Sequence, residues 1–150
     1  MQVFICDKSM SKSAKILDPK RLNKQIVEAY QIITDRLPNL HHPAYLFWKD
    51  YKDVLRQYLF YLCEEYTRRH KKVHKCSSEC MRPTMDDLSF IPCFNLLFLS
   101  HRVNLLRKDF DWYSMFFSVD KPLYEYPTGY FWITPYGRDS RRDTMNWLNF

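Results

Sequence analysis

Three groups of side chains in this sequence have the types and spacing to do chemistry. His70, His74, Cys76 and Cys80 form a His-x3-His-x-Cys-x3-Cys series. These are ligand types for tetrahedral zinc, and two histidines four residues apart share one face of a helix. The spacing departs from common zinc fingers. It reads either as a structural zinc clamp or as a basic loop with incidental thiols. The second group is His101, Asn104 and Lys108, which share a helix face at i, i+3 and i+7, flanked by Arg102 and Arg107. A cation-rich face carrying an amide suits phosphates and base edges; the plainer reading is an ordinary exposed face.

The third group is the stripe Arg21, Lys24, Gln25, Glu28 and Gln31, which is polar but not merely charged. Arg21 and Lys24 suit phosphate contacts. On residue types alone, Glu28 is a solvent-facing acid paired with Lys24 four residues earlier, worth ~0.3–0.5 kcal/mol. His42, directly before Pro43, either reaches a site or only orients a helix start.

Helices must position these groups. The chain has two glycines, Gly129 and Gly137, both late, and long runs of helical period. After a short extended start, Asp18 can cap a helix and Pro19 suits its first position. The spacing predicts a helix from Pro19 to Leu37, with Leu22, Ile26, Ala29, Ile33 and Leu37 as its apolar stripe. Pro38 ends it and Pro43 opens a second, running from Ala44 to about Lys72. At ~1.5 Å per residue that second helix is on the order of 40 Å long, enough to be the spine of the domain. A third is predicted from Phe94 to about Lys108. The remainder, rich in Tyr, Trp and Pro, reads as loops and turns. The expectation is an all-α single domain over residues 1–150, about three main helices with an irregular aromatic-rich C-terminal part. Residues 68–90 read as an insertion.

Composition narrows the partners. With 150 residues, 46% hydrophobic and 27% charged, the chain can bury a core. Aromatics make up 17%, more than a core needs and suited to stacking on bases. The net charge of +6 favours an anionic partner, nucleic acid first, because bound phosphates release counterions. The five cysteines form no regular framework, and the first residues lack the basic n-region of a secretory signal. No stretch approaches the ~20 apolar residues needed to span a bilayer. A cytoplasmic, non-membrane, monomeric protein with free or metal-bound thiols is expected.

Three motifs point further. They are the run Ser13-Ala14-Lys15-Ile16-Leu17-Asp18-Pro19-Lys20-Arg21-Leu22-Asn23-Lys24-Gln25-Ile26-Val27-Glu28; His42-Pro43-Ala44 followed by Trp48 and Tyr51; and Ser100-His101-Arg102-Val103-Asn104-Leu105-Leu106-Arg107-Lys108-Asp109 with Trp112-Tyr113 just after. Tyr130-Phe131-Trp132 and then Pro135 complete the series. In order and approximate spacing the chain resembles the pyrimidine-dimer DNA glycosylases (endonuclease V type) of phages, some large viruses and bacteria. The resemblance spans nearly the whole chain and is weakest over residues 68–90.

That resemblance implies a helical fold with the N-terminal segment threading between helices, duplex DNA as partner, and no required cofactor. It implies excision of the base of a cyclobutane pyrimidine dimer, then strand cleavage. The chain's own α-amino group would be the nucleophile, and a glutamate on the first long helix its acid/base partner, which here falls on Glu28. Such an amine is chemically reasonable. Its ordinary pKa of ~7.7–8.0, against ~10.4 for lysine, leaves far more free base at neutral pH. Position 2 is Gln, larger than the residues before which Met is normally trimmed. The open choices are the Met1 amine, the Gln2 amine after unusual processing, a lysine such as Lys24, or loss of the lyase step. Two rivals follow: a DNA-binding module of the same fold without the chemistry, and an interaction protein whose aromatic C-terminal third meets a protein partner.

Overall fold

A computed structural model describes residues 2–133 and 146–150; Met1 and residues 134–145, which include Pro135 and Gly137, lie outside the described residues. Among the described residues six helices are named here in chain order: α1 (Met10–Ile16), α2 (Pro19–Ile33), α3 (Pro43–Trp48), α4 (Lys52–His70), α5 (Phe94–Lys108) and α6 (Phe110–Tyr113). Short 3-10 turns occupy Lys49–Tyr51, Lys75–Glu79 and Leu123–Glu125. Among the described residues there is no strand, only an isolated bridge between Ser9 and Asp87. The all-α expectation holds.

Helix α2 begins as its sequence dictates. Asp18 Oδ1 accepts from the amides of Lys20 (3.1 Å) and Arg21 (3.0 Å), and Pro19 opens the first turn. Its end comes four residues before the predicted Leu37. Thr34 Oγ1 donates to the Tyr30 carbonyl at 2.8 Å, and Asp35 turns to a left-handed φ of 56°. Leu37 therefore packs against the core from a loop. The predicted second helix is broken as well. His42 caps α3, its Nδ1 accepting from the Ala44 amide at 3.1 Å. A 3-10 turn then leads to Tyr51, whose φ of −124° and ψ of 33° leave helical space before α4 resumes.

The extended start contains a helix the periodicity missed. Ser9 caps α1, accepting from the Lys12 amide at 3.2 Å, and the hydroxyls of Ser9 and Ser11 both donate to Asp86 Oδ2 (2.6 and 3.0 Å). One carboxylate on the far loop thus fixes the start of α1.

The N-terminal segment is the centre of the fold. Val3, Phe4, Ile5 and Cys6 are all buried. Buried backbone amides and carbonyls need partners, and here side chains of three helices supply them in place of a neighbouring strand. Gln25 of α2 pairs with both polar groups of Phe4, and the Tyr58 hydroxyl of α4 donates to the Phe4 carbonyl at 2.6 Å. From α5, His101 Nδ1 accepts from the Ile5 amide at 2.9 Å and Arg102 Nε donates to the Cys6 carbonyl at 2.8 Å. Helix α6 closes the far end: the Tyr113 hydroxyl donates to Asp18 Oδ2 at 2.6 Å and Trp112 Nε1 to the Ile16 carbonyl at 2.7 Å.

Candidate active site

The first three turns of α2 face the N-terminal segment across a cleft of about 370 Å³. Four cations line it: Lys20, Arg21 and Lys24 from α2, and Lys108 from the end of α5. Among the described residues Glu28 is the one acid lining it, the amides of Gln2 and Gln25 lie beside that acid, and the rings of Phe4 and Tyr130 form an apolar wall, 5.8 Å between centroids. An anion-loving rim around a single recessed carboxylate is what a site on a nucleic-acid backbone needs.

Glu28 is buried, with 7% of its surface exposed, and is not the surface acid that residue types alone suggest. The stripe carrying Arg21, Gln25 and Glu28 turns inward because Gln25 must reach the Phe4 backbone. Three residues further on, Glu28 then meets the start of the same segment. Its Oε2 accepts from the Gln2 amide at 3.0 Å, and Lys24 Nζ stands 3.8 Å from Oε1. Burial pushes the Glu28 carboxyl above the ordinary glutamate range, against the opposing pull of the Gln2 amide, Lys24 and Lys108. Lys108 is held below the usual lysine range by burial and by the charges of Arg21 and Lys24. Arg21 is pinned by Asp18, Nη1 to Oδ2 at 2.8 Å. Burial drives the Tyr130 hydroxyl up to about 12, so it stays protonated.

Of the residues singled out from the sequence, Gln2, Arg21, Lys24, Glu28 and Lys108 meet at this cleft. Met1 lies outside the described residues. The rest of the α5 face does not line the cleft. His101 is wholly buried, and Asn104 nearly so, donating to the carbonyls of Ser100 (2.8 Å) and Gly129. The Arg102 guanidinium lies 3.9 Å over the Phe98 ring, and Arg107 holds the carbonyls of Leu123, Tyr126 and Pro127 at 2.7–2.9 Å. These polar side chains serve the irregular backbone around a central helix; they do not form an exposed phosphate-binding face. His42 caps α3 and does not line the cleft.

The structure does not bring the His70, His74, Cys76 and Cys80 series together. His70 ends α4, and Lys71, with φ of 55°, turns the chain away, so His70 and His74 do not share a helix face. His70 is exposed and lies against Tyr66, 4.3 Å between ring centroids. Both nitrogens of buried His74 are engaged, Nδ1 by the Cys76 amide and Nε2 with Asn23 Oδ1, each at 3.1 Å. Cys76 is buried, while Cys80 lies against Cys63 of α4. Among the described residues, no group of three or more His, Cys, Asp or Glu side chains is placed to hold a metal ion.

Sequence reasoning passed over Lys20 and Tyr130 as site residues and gave Gln25 no specific role. The amide of Gln25 amid the charges of Arg21, Lys24 and Glu28 was the available signal.

Residues 1–78 match a family model described as pyrimidine dimer DNA glycosylase. The chain belongs to this family. No curated protein and no solved structure matches it. The match takes in the N-terminal segment, Glu28 and the cations of α2, whereas Lys108, Tyr130 and Trp132 lie beyond it. Glycosylases of this family act on DNA, and the cations of the cleft fit that substrate. Among the described residues no helix is long and apolar enough to cross a membrane.

Proposed function

We propose that this glycosylase excises damaged pyrimidines at cyclobutane dimers in duplex DNA and then cleaves the strand. The α-amine at the start of the chain is its nucleophile and Glu28 its acid/base. The observation that carries this reading is the 3.0 Å contact from the Gln2 amide to Glu28 Oε2. If Met1 is removed, that nitrogen is itself the amine. If Met1 stays, its amine lies three covalent bonds away, no more than ~3.7 Å from the Gln2 nitrogen by standard backbone dimensions. The contact at Gln2 thus brings the start of the chain to the carboxylate in either case.

The free amine forms a bond to C1′ while the bond from C1′ to the pyrimidine nitrogen breaks, its electron pair leaving with the base. The Glu28 carboxylate takes a proton from the bound amine and passes it to O4′ as the C1′–O4′ bond breaks, leaving a protonated imine between enzyme and C1′. Removal of a 2′ proton by the Glu28 carboxylate then expels the 3′ phosphate, breaking the C3′–O bond. Water releases the enzyme. A carboxyl raised by burial suits both halves, since the shift makes it a better proton acceptor than an ordinary glutamate while it can still return the proton. The cations around it hold the phosphates on either side. A distorted lesion is the least costly place to expose C1′, at a few kcal/mol.

Borohydride reduction tests the reading. Untagged protein is mixed with an ultraviolet-irradiated duplex and, separately, an abasic one, and the adduct is mapped by mass. An adduct on residue 1 or 2 with both duplexes supports it. An adduct with the abasic duplex alone limits the chain to the lyase step. No adduct, with salt-sensitive binding retained, replaces it with a non-catalytic DNA-binding module.

A further inference from the structure

Residue 2 is tied at two points. Its amide is bound to Glu28, and its side-chain Oε1 accepts from Trp132 Nε1 at 2.8 Å. Trp132 is 2% exposed and its ring is held between two helices. Its ring lies 4.6 Å from that of His101 on α5 and 5.4 Å from Phe47 on α3. His101 in turn accepts from the Ile5 amide of the N-terminal segment. An indole N–H can only donate, so this buried group needs an acceptor, and Gln2 supplies it.

An untethered Gln2 side chain has three rotatable bonds inside the cleft. Its own amide could then compete for the Glu28 carboxylate, and the start of the chain would be free to swing. We propose that Trp132 is a positioning residue: by clamping the Gln2 side chain it fixes the direction in which the chain start approaches Glu28 and the sugar. The inference rests on the amine reading above and goes beyond it by assigning a role outside the matched segment. It also gives the large side chain at position 2 a purpose. The clamp turns an obstruction into an anchor.

Misplacing a reacting group by ~1 Å costs on the order of 100-fold in rate. Trp132→Phe keeps a ring but removes the donor. It should slow single-turnover borohydride trapping on an abasic duplex at least 10-fold. Affinity for a duplex carrying an uncleavable abasic analogue should stay within threefold. Gln2→Leu removes the acceptor and, being large, leaves the processing at Met1 as it is. It should slow trapping similarly, and the double variant should be no slower than the slower single one. The indole 1H–15N signal that disappears in Trp132→Phe should shift and exchange faster in Gln2→Leu. Wild-type trapping rates in Trp132→Phe, multiplicative losses in the double variant, or an indole signal indifferent to residue 2 would overturn the clamp. If the wild-type protein traps nothing, the amine reading fails and takes the positioning role with it, whereas the indole signal still reports whether Gln2 and Trp132 touch.

Discussion

Phe4 and Gln25 pair as residues on neighbouring strands would, although one lies in an extended segment and the other on a helix. The Phe4 amide donates to Gln25 Oε1 at 2.8 Å, and Gln25 Nε2 donates back to the Phe4 carbonyl at 3.1 Å. The same Nε2 also donates to the Tyr58 hydroxyl at 2.9 Å, so one amide joins α2, α4 and the N-terminal segment. Gln25→Leu matches the shape but strands the Phe4 amide in the core, a loss of ~1–3 kcal/mol. For a domain of this size each kcal/mol lowers Tm by ~2–4 °C. Urea and thermal unfolding should both register the loss. A change below ~0.5 kcal/mol would mean that the segment does not depend on this pairing.

Glu28 yields a prediction of opposite sign. Its carboxyl sits above the ordinary 4.5 because burial disfavours the charged form. The protonated group therefore adds stability below about pH 4.5, and that contribution is lost as pH rises through the folded value. Glu28→Gln, which cannot ionise, should gain stability relative to wild type between pH 4 and 7. It should abolish strand cleavage yet bind duplex DNA as well as wild type or better, since it removes a negative charge lying among four cations. Cleavage within tenfold of wild type in this variant would remove Glu28 from the mechanism.

His101 gives the acid dependence its direction. Burial drops its imidazole from 6.5 to about 3, so the folded state holds it neutral with Nδ1 accepting from Ile5. The stability this provides is complete above pH 6.5 and drains away as pH falls toward the folded value, roughly 3 kcal/mol between pH 6.5 and 4. His101→Asn retains an acceptor near the Ile5 amide but has nothing to titrate. Unfolding free energies measured from pH 7.5 to 4 should fall less steeply in the variant. Parallel curves would show that His101 charges freely in the folded protein.

Much of this was legible in the residues. Asp18-Pro19 marks the start of α2, and the aliphatic spacing from Leu22 to Ile33 marks its buried side. What stayed hidden has a common cause. The protein threads an extended segment through its core and satisfies that backbone with side chains, so residues that read as surface polar are turned inward: Gln25, His101, Arg102 and Asn104. A helical wheel ranks such residues by solubility and has no means of knowing that a backbone lies buried opposite them. Local chemistry hid the rest. Thr34, Asp35 and Tyr51 end or break helices whose apolar period runs on past them, and α1 is set by a cap and a distant carboxylate, not by a stripe.

The arginines and lysines that look alike in the sequence should separate in a salt titration. Each phosphate neutralised on a duplex steepens the fall of log K against log salt by ~0.9. Lys20, Lys24 and Lys108 line the cleft, and Lys24 is largely exposed, so single alanine variants should each flatten that slope by about one phosphate's worth. Arg102 and Arg107 spend their donors on the carbonyls of Cys6 and of residues 123–127. Their alanine variants should leave the slope within error of wild type while lowering Tm, because each strands backbone acceptors that α5 now serves. Measuring both quantities on the same five proteins separates the classes. If Arg102→Ala or Arg107→Ala flattened the slope as strongly as Lys24→Ala without loss of Tm, the DNA would have to run along α5, away from Glu28. The cleft would then be the wrong place for the chemistry.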